Sequence, residues 1–134
     1  MKDKLLDLAL LFLRLCGGGF MLFAHGLQKL LNFSEMSSKF PDPLGFLGSE
    51  MSLVLAIFAE LLCSALVMLG LVTRLAVLPL CATMFVAAFL VHGADPFAKK
   101  ELALLYLVVF AFLALAGGGQ FSLDAILRRR RSRR

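Results

Sequence analysis

The chain has 134 residues, of which 60% are hydrophobic, and its mean hydropathy is +0.90. A soluble domain of this length could not bury so much apolar surface, so the composition excludes a water-soluble globular protein and favours a helical membrane protein. The formal net charge of +5 comes largely from arginines at the carboxyl end. We interpret these arginines as a membrane anchor, and we expect no binding to nucleic acid.

Four apolar segments follow one another along the chain and predict four membrane-spanning helices. They cover residues 5–31, 51–71, 75–91 and 101–117. The first segment is interrupted by Arg14 and no typical cleavage site follows it, so we expect it to be retained as a span and not removed as a signal peptide. The predicted fold is therefore all-α, a single antiparallel four-helix membrane bundle over residues 1–134.

Basic residues are distributed unevenly between the two predicted ends of this bundle. The end with both termini carries Lys2, Lys4, Arg74 and a basic tail over residues 128–134, and the opposite end carries four lysines. The positive-inside rule then predicts that both termini are cytoplasmic. We expect the arginines of the tail to contact anionic lipid headgroups; they are Arg128, Arg129, Arg130, Arg131, Arg133 and Arg134.

Arg14 and Glu60 each lie alone, or nearly so, within an apolar run of about 20 residues, the length of a membrane span. A charge in the bilayer costs at least about 2.5–3.5 kcal/mol, so it needs a partner or a task. Counting about 1.5 Å per residue from the predicted ends places the two charges at similar depths, which predicts an ion pair between the first two helices. Such a pair either fixes the packing and register of the two helices or handles protons or a ligand, and the sequence leaves both interpretations open.

Further polar residues are predicted at the end of the bundle opposite the termini. His25 and Gln28 share a helix face with Arg14, His92 ends the third segment, and Glu101 begins the fourth. Together they predict an outward polar mouth above Glu60, and no metal-ligand spacing accompanies the histidines. A quinone would suit such a pocket, whereas a metal is not expected. The candidate pocket residues are Arg14, His25, Gln28, Glu60, His92 and Glu101.

Motifs in all four segments resemble the DoxX family of small bacterial membrane proteins. The first-helix signature resembles residues 13–31, which include Ala-His-Gly-Leu-Gln-Lys, and the second-helix motif resembles residues 59–74. Residues 91–93, 101–106 and 117–124 resemble later motifs. The motif positions carried onto this chain are Arg14, His25, Gln28, Lys29, Glu60, Arg74, His92 and Glu101.

The resemblance implies a multi-pass protein of the bacterial inner membrane, with a bundle distantly similar to the vitamin K epoxide reductase type. The family takes its name from a subunit of a thiosulfate:quinone oxidoreductase, and some members are linked to thiol and oxidative-stress assemblies. The three cysteines, Cys16, Cys63 and Cys81, all fall within spans, so the chain lacks the cysteine pair that disulfide-handling relatives need.

Three functional hypotheses remain open at this point. The first is a quinone- or redox-linked membrane subunit, either accessory or catalytic. The second is a non-catalytic scaffold or chaperone-like subunit of a larger complex. A small transporter ranks last, because no polar path continues through the membrane below Arg14. The small residues at 17–19 favour close helix contacts and hence a homo-oligomer or partner membrane proteins.

Overall fold

The protein, seen in a computed structural model that describes residues 2–133, is all-helical over that range and contains no strand there. The expected all-α class is confirmed for these residues. In chain order the helices are α1 (residues 2–31), α2 (Phe33–Met36), α3 (Ser49–Leu69), α4 (Thr73–Val91), α5 (Phe97–Ala116) and α6 (Leu123–Arg131). Three of them, α1, α3 and α4, are long and apolar enough to cross a membrane.

A fourth long helix, α5, differs from these three at its beginning. It has 20 residues, and its first turns contain the charged residues 99–101. Pro96 stands at the amino-terminal cap, where the missing N–H of proline costs nothing, and Gly117 ends the helix with a positive φ of 78°. The remainder of α5 is apolar and packs along α4, so the two form one pair of antiparallel helices.

Each of the three candidate membrane-spanning helices contains one π-helical turn. The turns cover Leu22–Gly26 in α1, Phe58–Cys63 in α3 and Ala87–Val91 in α4. A π-helical turn holds about one residue more than an α-helical turn, so the buried face after it moves forward by one residue. The turns of α1 and α3 contact each other.

Gly26 lies where the π-helical turns of α1 and α3 cross. A Cβ atom added at Gly26 would lie 2.6 Å from the carbonyl carbon and oxygen of Glu60, well inside van der Waals contact. The absence of a side chain at Gly26 therefore allows the two backbones to touch. This close crossing brings the end of α1 next to Glu60.

The two ends of the bundle are packed differently. At the tail end, where both termini lie, the pair α1 and α3 meets the pair α4 and α5 in a core that includes Val67, Leu80 and Phe110. At the opposite loop end, which holds residues 32–48, the first half of α3 contacts mainly α1 and its own π-helical turn. The two pairs diverge there, and a cavity of about 640 Å³ lies between them.

The small residues 17–19 of α1 are used inside the bundle. A Cβ atom at Gly17 would lie 3.0 Å from Val109, and one at Gly18 would lie 2.8 Å from Met68. Both glycines are buried by this packing. They therefore provide close contacts between helices of the same chain.

Candidate functional site

Glu60 and Lys29 form a buried ion pair at the base of the loop-end cavity. Lys29 Nζ donates a hydrogen bond to Glu60 Oε2 over 2.5 Å. The side chains are only 5% and 17% exposed for Glu60 and Lys29, so both charges are largely removed from water. A pair held this way has little screening, and removing one partner leaves the other charge unbalanced.

The π-helical turn explains why Lys29, and not Gln28, faces the interior. The regular spacing of α1 predicts that the buried face runs through His25 to Gln28. The additional residue in Leu22–Gly26 moves this face forward, so that Gly26 is buried and Lys29 turns inward. Gln28 is exposed, and the prediction that its side chain faces the bundle is wrong.

His25 and Tyr106 lie beside the ion pair. Their rings meet edge to face, with centroids 5.6 Å apart, and Tyr106 stacks on Phe110 with centroids 5.9 Å apart. His25 and Tyr106 both line the cavity together with Lys29 and Glu60. The base of the cavity therefore carries two charged groups, an imidazole and a phenol, arranged within one small volume.

The cavity walls are mainly apolar. On α4 they extend from Pro79 to Val91, a distance of about 18 Å along the helix axis. On α3 they include Leu55 and Phe58, and on α5 they include Leu102. An elongated apolar space with a few convergent polar groups at one end is typical of a binding site for an amphipathic small molecule.

The loop between α2 and α3 covers the aqueous end of the cavity. We call residues 40–47 the roof, because Phe40, Pro41, Pro43, Leu44 and Leu47 line the cavity from this side. Asp42 fastens the roof to the start of α3: its carboxylate accepts the N–H groups of Gly45 (3.2 Å) and Gly48 (2.9 Å) and the hydroxyl of Ser52 (3.2 Å). The bond from Gly48 is the main reason that the pKa of Asp42 lies below its ordinary value.

His92 lines the cavity close to the roof and is paired with Asp95. His92 Nδ1 lies 2.8 Å from Asp95 Oδ2, and this bond holds the pKa of Asp95 below its ordinary value. Glu101 is exposed and does not line the cavity. Within residues 2–133, no three histidine, cysteine or acidic side chains come together as a metal site. The predicted mouth therefore contains His25, Glu60 and His92, while Gln28 and Glu101 lie outside it.

Arg14 occupies a second, separate polar site at the tail end. Its guanidinium is fully buried and donates to the carbonyl oxygens of Val67 (3.2 Å), Met68 (2.9 Å) and Phe121 (2.7 Å). Val67 and Met68 lie in the last turn of α3, where carbonyl groups lack the usual helical partner; the Val67 carbonyl also accepts the N–H of Gly70 over 3.1 Å. Arg14 therefore satisfies the end of α3 and ties it to the chain segment that follows α5.

The prediction of an Arg14–Glu60 ion pair is wrong. Arg14 contacts α3 eight residues beyond Glu60, which is about 12 Å along the helix axis. The depth count failed because α1 extends over residues 2–31, about 45 Å, and exceeds a hydrocarbon core of about 30 Å. The ends of the apolar runs in α1 and α3 therefore do not mark the same level.

The segment after α5 is attached to the other helices by carboxylates. Asp124 accepts the backbone N–H groups of Val72 (2.7 Å) and Thr73 (2.9 Å) and the hydroxyl of Thr73 (2.9 Å), so it caps the start of α4. Asp7 accepts the backbone N–H of Gln120 over 2.9 Å. Burial alone raises the pKa of Asp124, but the bonds from Thr73 and Val72 outweigh it and hold that pKa below its ordinary value.

The basic tail continues from this segment as α6. Arg128, Arg129, Arg130, Arg131 and Arg133 are exposed, and Arg134 lies outside the described residues. Arg129 donates to Gln120 Oε1 over 2.8 Å, while the side chains of the other arginines of the helix form no hydrogen bond in the part of the chain that the structure describes.

Reasoning from the sequence missed three residues of the site, namely Gly26, Lys29 as the partner of Glu60, and Tyr106. A signal existed for the first two, since Gly26 and Lys29 stand three residues apart at the end of the first apolar run. That spacing places a small residue and a cation on one helix face. Tyr106 is the only tyrosine of the chain, and it stands on the predicted fourth helix without a polar neighbour to draw attention to it.

Comparison with known proteins agrees with the helical, apolar character of the chain. The family model described as DoxX matches residues 9–93. Two proteins of Haemophilus influenzae, each described as an uncharacterized protein, are similar to the chain. One is 35% identical over 112 residues, covering 78% of this chain and 81% of the relative. The other is 27% identical over 114 residues, covering 80% and 76%, respectively. No solved structure matches significantly.

Proposed function

This chain belongs to the DoxX family of membrane proteins, and from this premise we propose that it is a quinone-binding, redox-linked subunit. In the proposal, the loop-end cavity receives the quinone ring at its base and part of the apolar tail along its walls. Electrons reach the quinone from a partner protein, and the chain described here binds the ring and handles its protons. The membrane assignment itself rests on the family and on the three long apolar helices.

The single observation that carries the proposal is the Lys29–Glu60 pair at the base of an apolar cavity. Lys29 provides N–H donors for a quinone carbonyl, and Tyr106, which lines the same space, carries a hydroxyl group as a further donor. Glu60 provides an acceptor for the hydroxyl of the reduced form. The pair is thus able to bind both the oxidised and the reduced ring, because it contains a donor and an acceptor side by side.

We propose that four helices span the inner membrane with both termini in the cytoplasm. The fourth span is α5, whose 20 residues extend about 30 Å, the thickness of the hydrocarbon core. Its charged first turns would lie at the loop-end interface. The basic α6 lies at the tail end, which supports the cytoplasmic orientation of that end.

We further propose that α6 contacts anionic lipid headgroups. Its exposed arginines Arg128, Arg130 and Arg131 follow the exposed apolar residues Ile126 and Leu127. This combination is typical of a helix that lies in the membrane interface. Replacing the three arginines by glutamine should reduce the stabilisation that phosphatidylglycerol gives over phosphatidylcholine. Equal stabilisation of variant and parent would contradict the contact.

The quinone proposal is tested by the fluorescence of Tyr106. The chain has one tyrosine and no tryptophan, and that tyrosine lines the cavity, so a bound quinone ring should quench the intrinsic emission. We expect saturable quenching of the purified protein in mild detergent by decylubiquinone. Decanol, which has the apolar tail without the quinone ring, serves as the control ligand.

Two variants connect the quenching to the ion pair. Glu60→Gln should weaken decylubiquinone binding about tenfold, which corresponds to about 1.4 kcal/mol. Glu50→Gln, on an exposed position of the same helix, is the matched control and should bind as the parent does. If quenching does not saturate, or if Glu60→Gln folds and binds unchanged, the quinone proposal fails and the alternative of a non-catalytic scaffold is favoured.

A further inference from the structure

We infer that the cavity receives its ligand sideways from the bilayer, through a window between α3 and α4, and not from the water above the roof. The inference rests on the proposed ligand-binding function of the cavity and restricts the ligand to molecules dissolved in the membrane. It concerns the route of entry, which neither the family nor the ion pair determines.

The aqueous end of the cavity is closed by an apolar roof. Phe40, Pro41, Leu44 and Leu47 present hydrocarbon to the cavity, so a hydrated ion or sugar would lose its water shell on passing between them. Asp42 holds this segment through three hydrogen bonds to Gly45, Gly48 and Ser52. The roof is therefore fastened to the first turn of α3 at one point.

The side of the cavity between α3 and α4 has an apolar opening. Leu55 and Phe58 line the cavity and are nevertheless 47% and 46% exposed, so they stand at its rim. Across the gap, Ala82 on α4 lines the cavity and is also exposed. The first half of α3 contacts mainly α1 and its own π-helical turn, which leaves this gap between α3 and α4. The rim is apolar on both sides, as a passage for a lipid-soluble molecule requires.

The chemistry of the two ends then defines the ligand class. The ligand has a compact polar head that reaches Lys29 and Glu60, and an apolar tail that extends toward Leu55 and Phe58. A prenylated or alkylated quinone has this form. A water-soluble solute lacks such an apolar tail, so entry through the window does not fit the transport of such a solute.

Accessibility of an introduced cysteine tests the route without any ligand. In a background where Cys16, Cys63 and Cys81 are alanine, Thr83→Cys places a thiol inside the cavity and Ser38→Cys places one on the exposed loop. In proteoliposomes we expect the charged reagent methanethiosulfonate ethylsulfonate to label Thr83→Cys at least about a hundredfold more slowly than Ser38→Cys, because labelling requires the roof to open. The membrane-permeant N-ethylmaleimide should label the two positions at rates within about tenfold of each other.

The roof is tested by releasing Asp42. Asp42→Ala should raise the rate at which the charged reagent labels Thr83→Cys by about tenfold or more, since three hydrogen bonds that fasten the roof are lost. Glu35→Ala, on an exposed position of α2 at the same end, is the matched control and should leave the rate unchanged. Proteins whose helical content differs from that of the background are set aside before labelling.

The window is tested by narrowing it. Ala82→Phe should slow the onset of Tyr106 quenching by decylubiquinone about tenfold and leave labelling of Ser38→Cys unchanged. Three results would overturn lateral entry: rapid labelling of Thr83→Cys by the charged reagent, no labelling by N-ethylmaleimide, or an unchanged onset in Ala82→Phe. The labelling results hold even if decylubiquinone does not bind, so failure of this inference and failure of the quinone proposal are distinguishable.

Discussion

The tail end and the loop end of the bundle each bury charged groups, and they use them in different ways. At the tail end, Arg14 is fully buried and all its hydrogen bonds go to backbone carbonyl groups of α3 and of the segment after α5. At the loop end, Glu60 is bonded to Lys29, and the pair borders a cavity of about 640 Å³. Arg14 thus binds the carbonyl groups at the end of α3, whereas the Lys29–Glu60 pair faces the cavity.

This difference separates a charge that is bonded to the backbone from an ion pair that borders a cavity. The guanidinium of Arg14 is fully buried, and its hydrogen bonds go to carbonyl groups at the end of α3 and in the segment after α5, so Arg14 stabilises the fold. An ion pair at the base of an apolar cavity retains donor and acceptor capacity toward that cavity. Both sites were expected to form one unit. Their separation by about 12 Å, eight residues of α3, means that they are open to independent tests.

Arg14→Ala should produce the largest loss of stability. The substitution removes the guanidinium donor from the carbonyl groups of Val67, Met68 and Phe121 and creates a space where the guanidinium lay, at a cost of about 3–5 kcal/mol. Thermal unfolding in detergent measures the effect. Arg128→Ala, on the exposed α6, is the control and should change the melting temperature little. Equal melting temperatures for the two variants would contradict a structural role of Arg14.

Gly26→Ala should affect the loop end specifically. The new methyl group would lie 2.6 Å from the backbone of Glu60, so the crossing of α1 and α3 must widen, at a cost of about 1–3 kcal/mol. Lys29 then moves away from Glu60, and decylubiquinone binding should fall with stability. Gly19→Ala is the matched control, because its methyl group would meet only Met68 Cε at 3.7 Å. Binding that is unchanged in Gly26→Ala would show that the close crossing is not needed for the site.

The sequence predicted the helices better than it predicted their contacts. The predicted segment 51–71 lies within two residues of the helix Ser49–Leu69, and the predicted segment 75–91 within two residues of Thr73–Val91. The agreement is close because apolar runs bounded by glycine, proline and charged residues define such helices well. Gln28 was predicted in place of Lys29 because the regular helical spacing does not allow for a π-helical turn, and the spacing of Gly26 and Lys29 was the one signal for the inward position of Lys29. The partner of Arg14 was missed because depth counts assume helices that end at the same level.

Asp124 provides an intermediate effect that depends on pH. Its pKa in the folded protein lies below its ordinary value, so its contribution to stability is present above the unfolded pKa of about 3.9 and is lost as the pH falls through the folded pKa. At pH 7, Asp124→Asn should cost about 1 kcal/mol, the usual value of a helix cap. The stability curves of parent and variant should converge below about pH 4. Parallel curves down to pH 3 would assign the acid sensitivity to other carboxylates, such as those of the loop end.

Val72 offers the smallest effect, with the opposite sign. It adopts a φ of 46° just before α4, a left-handed conformation that costs a β-branched residue about 1–2 kcal/mol, and its N–H is held there by Asp124. Because the side chain is 51% exposed, Val72→Gly removes little packing and should raise stability by about 0.5–1 kcal/mol. Leu71→Gly, in the same turn without a positive φ, should lower stability instead. A gain in stability in Val72→Gly but not in Leu71→Gly would show that the backbone at Val72 is strained, in a turn that Asp124 holds at the tail end. Tyr106 quenching by decylubiquinone, at the loop end, should be the same in Val72→Gly as in the parent.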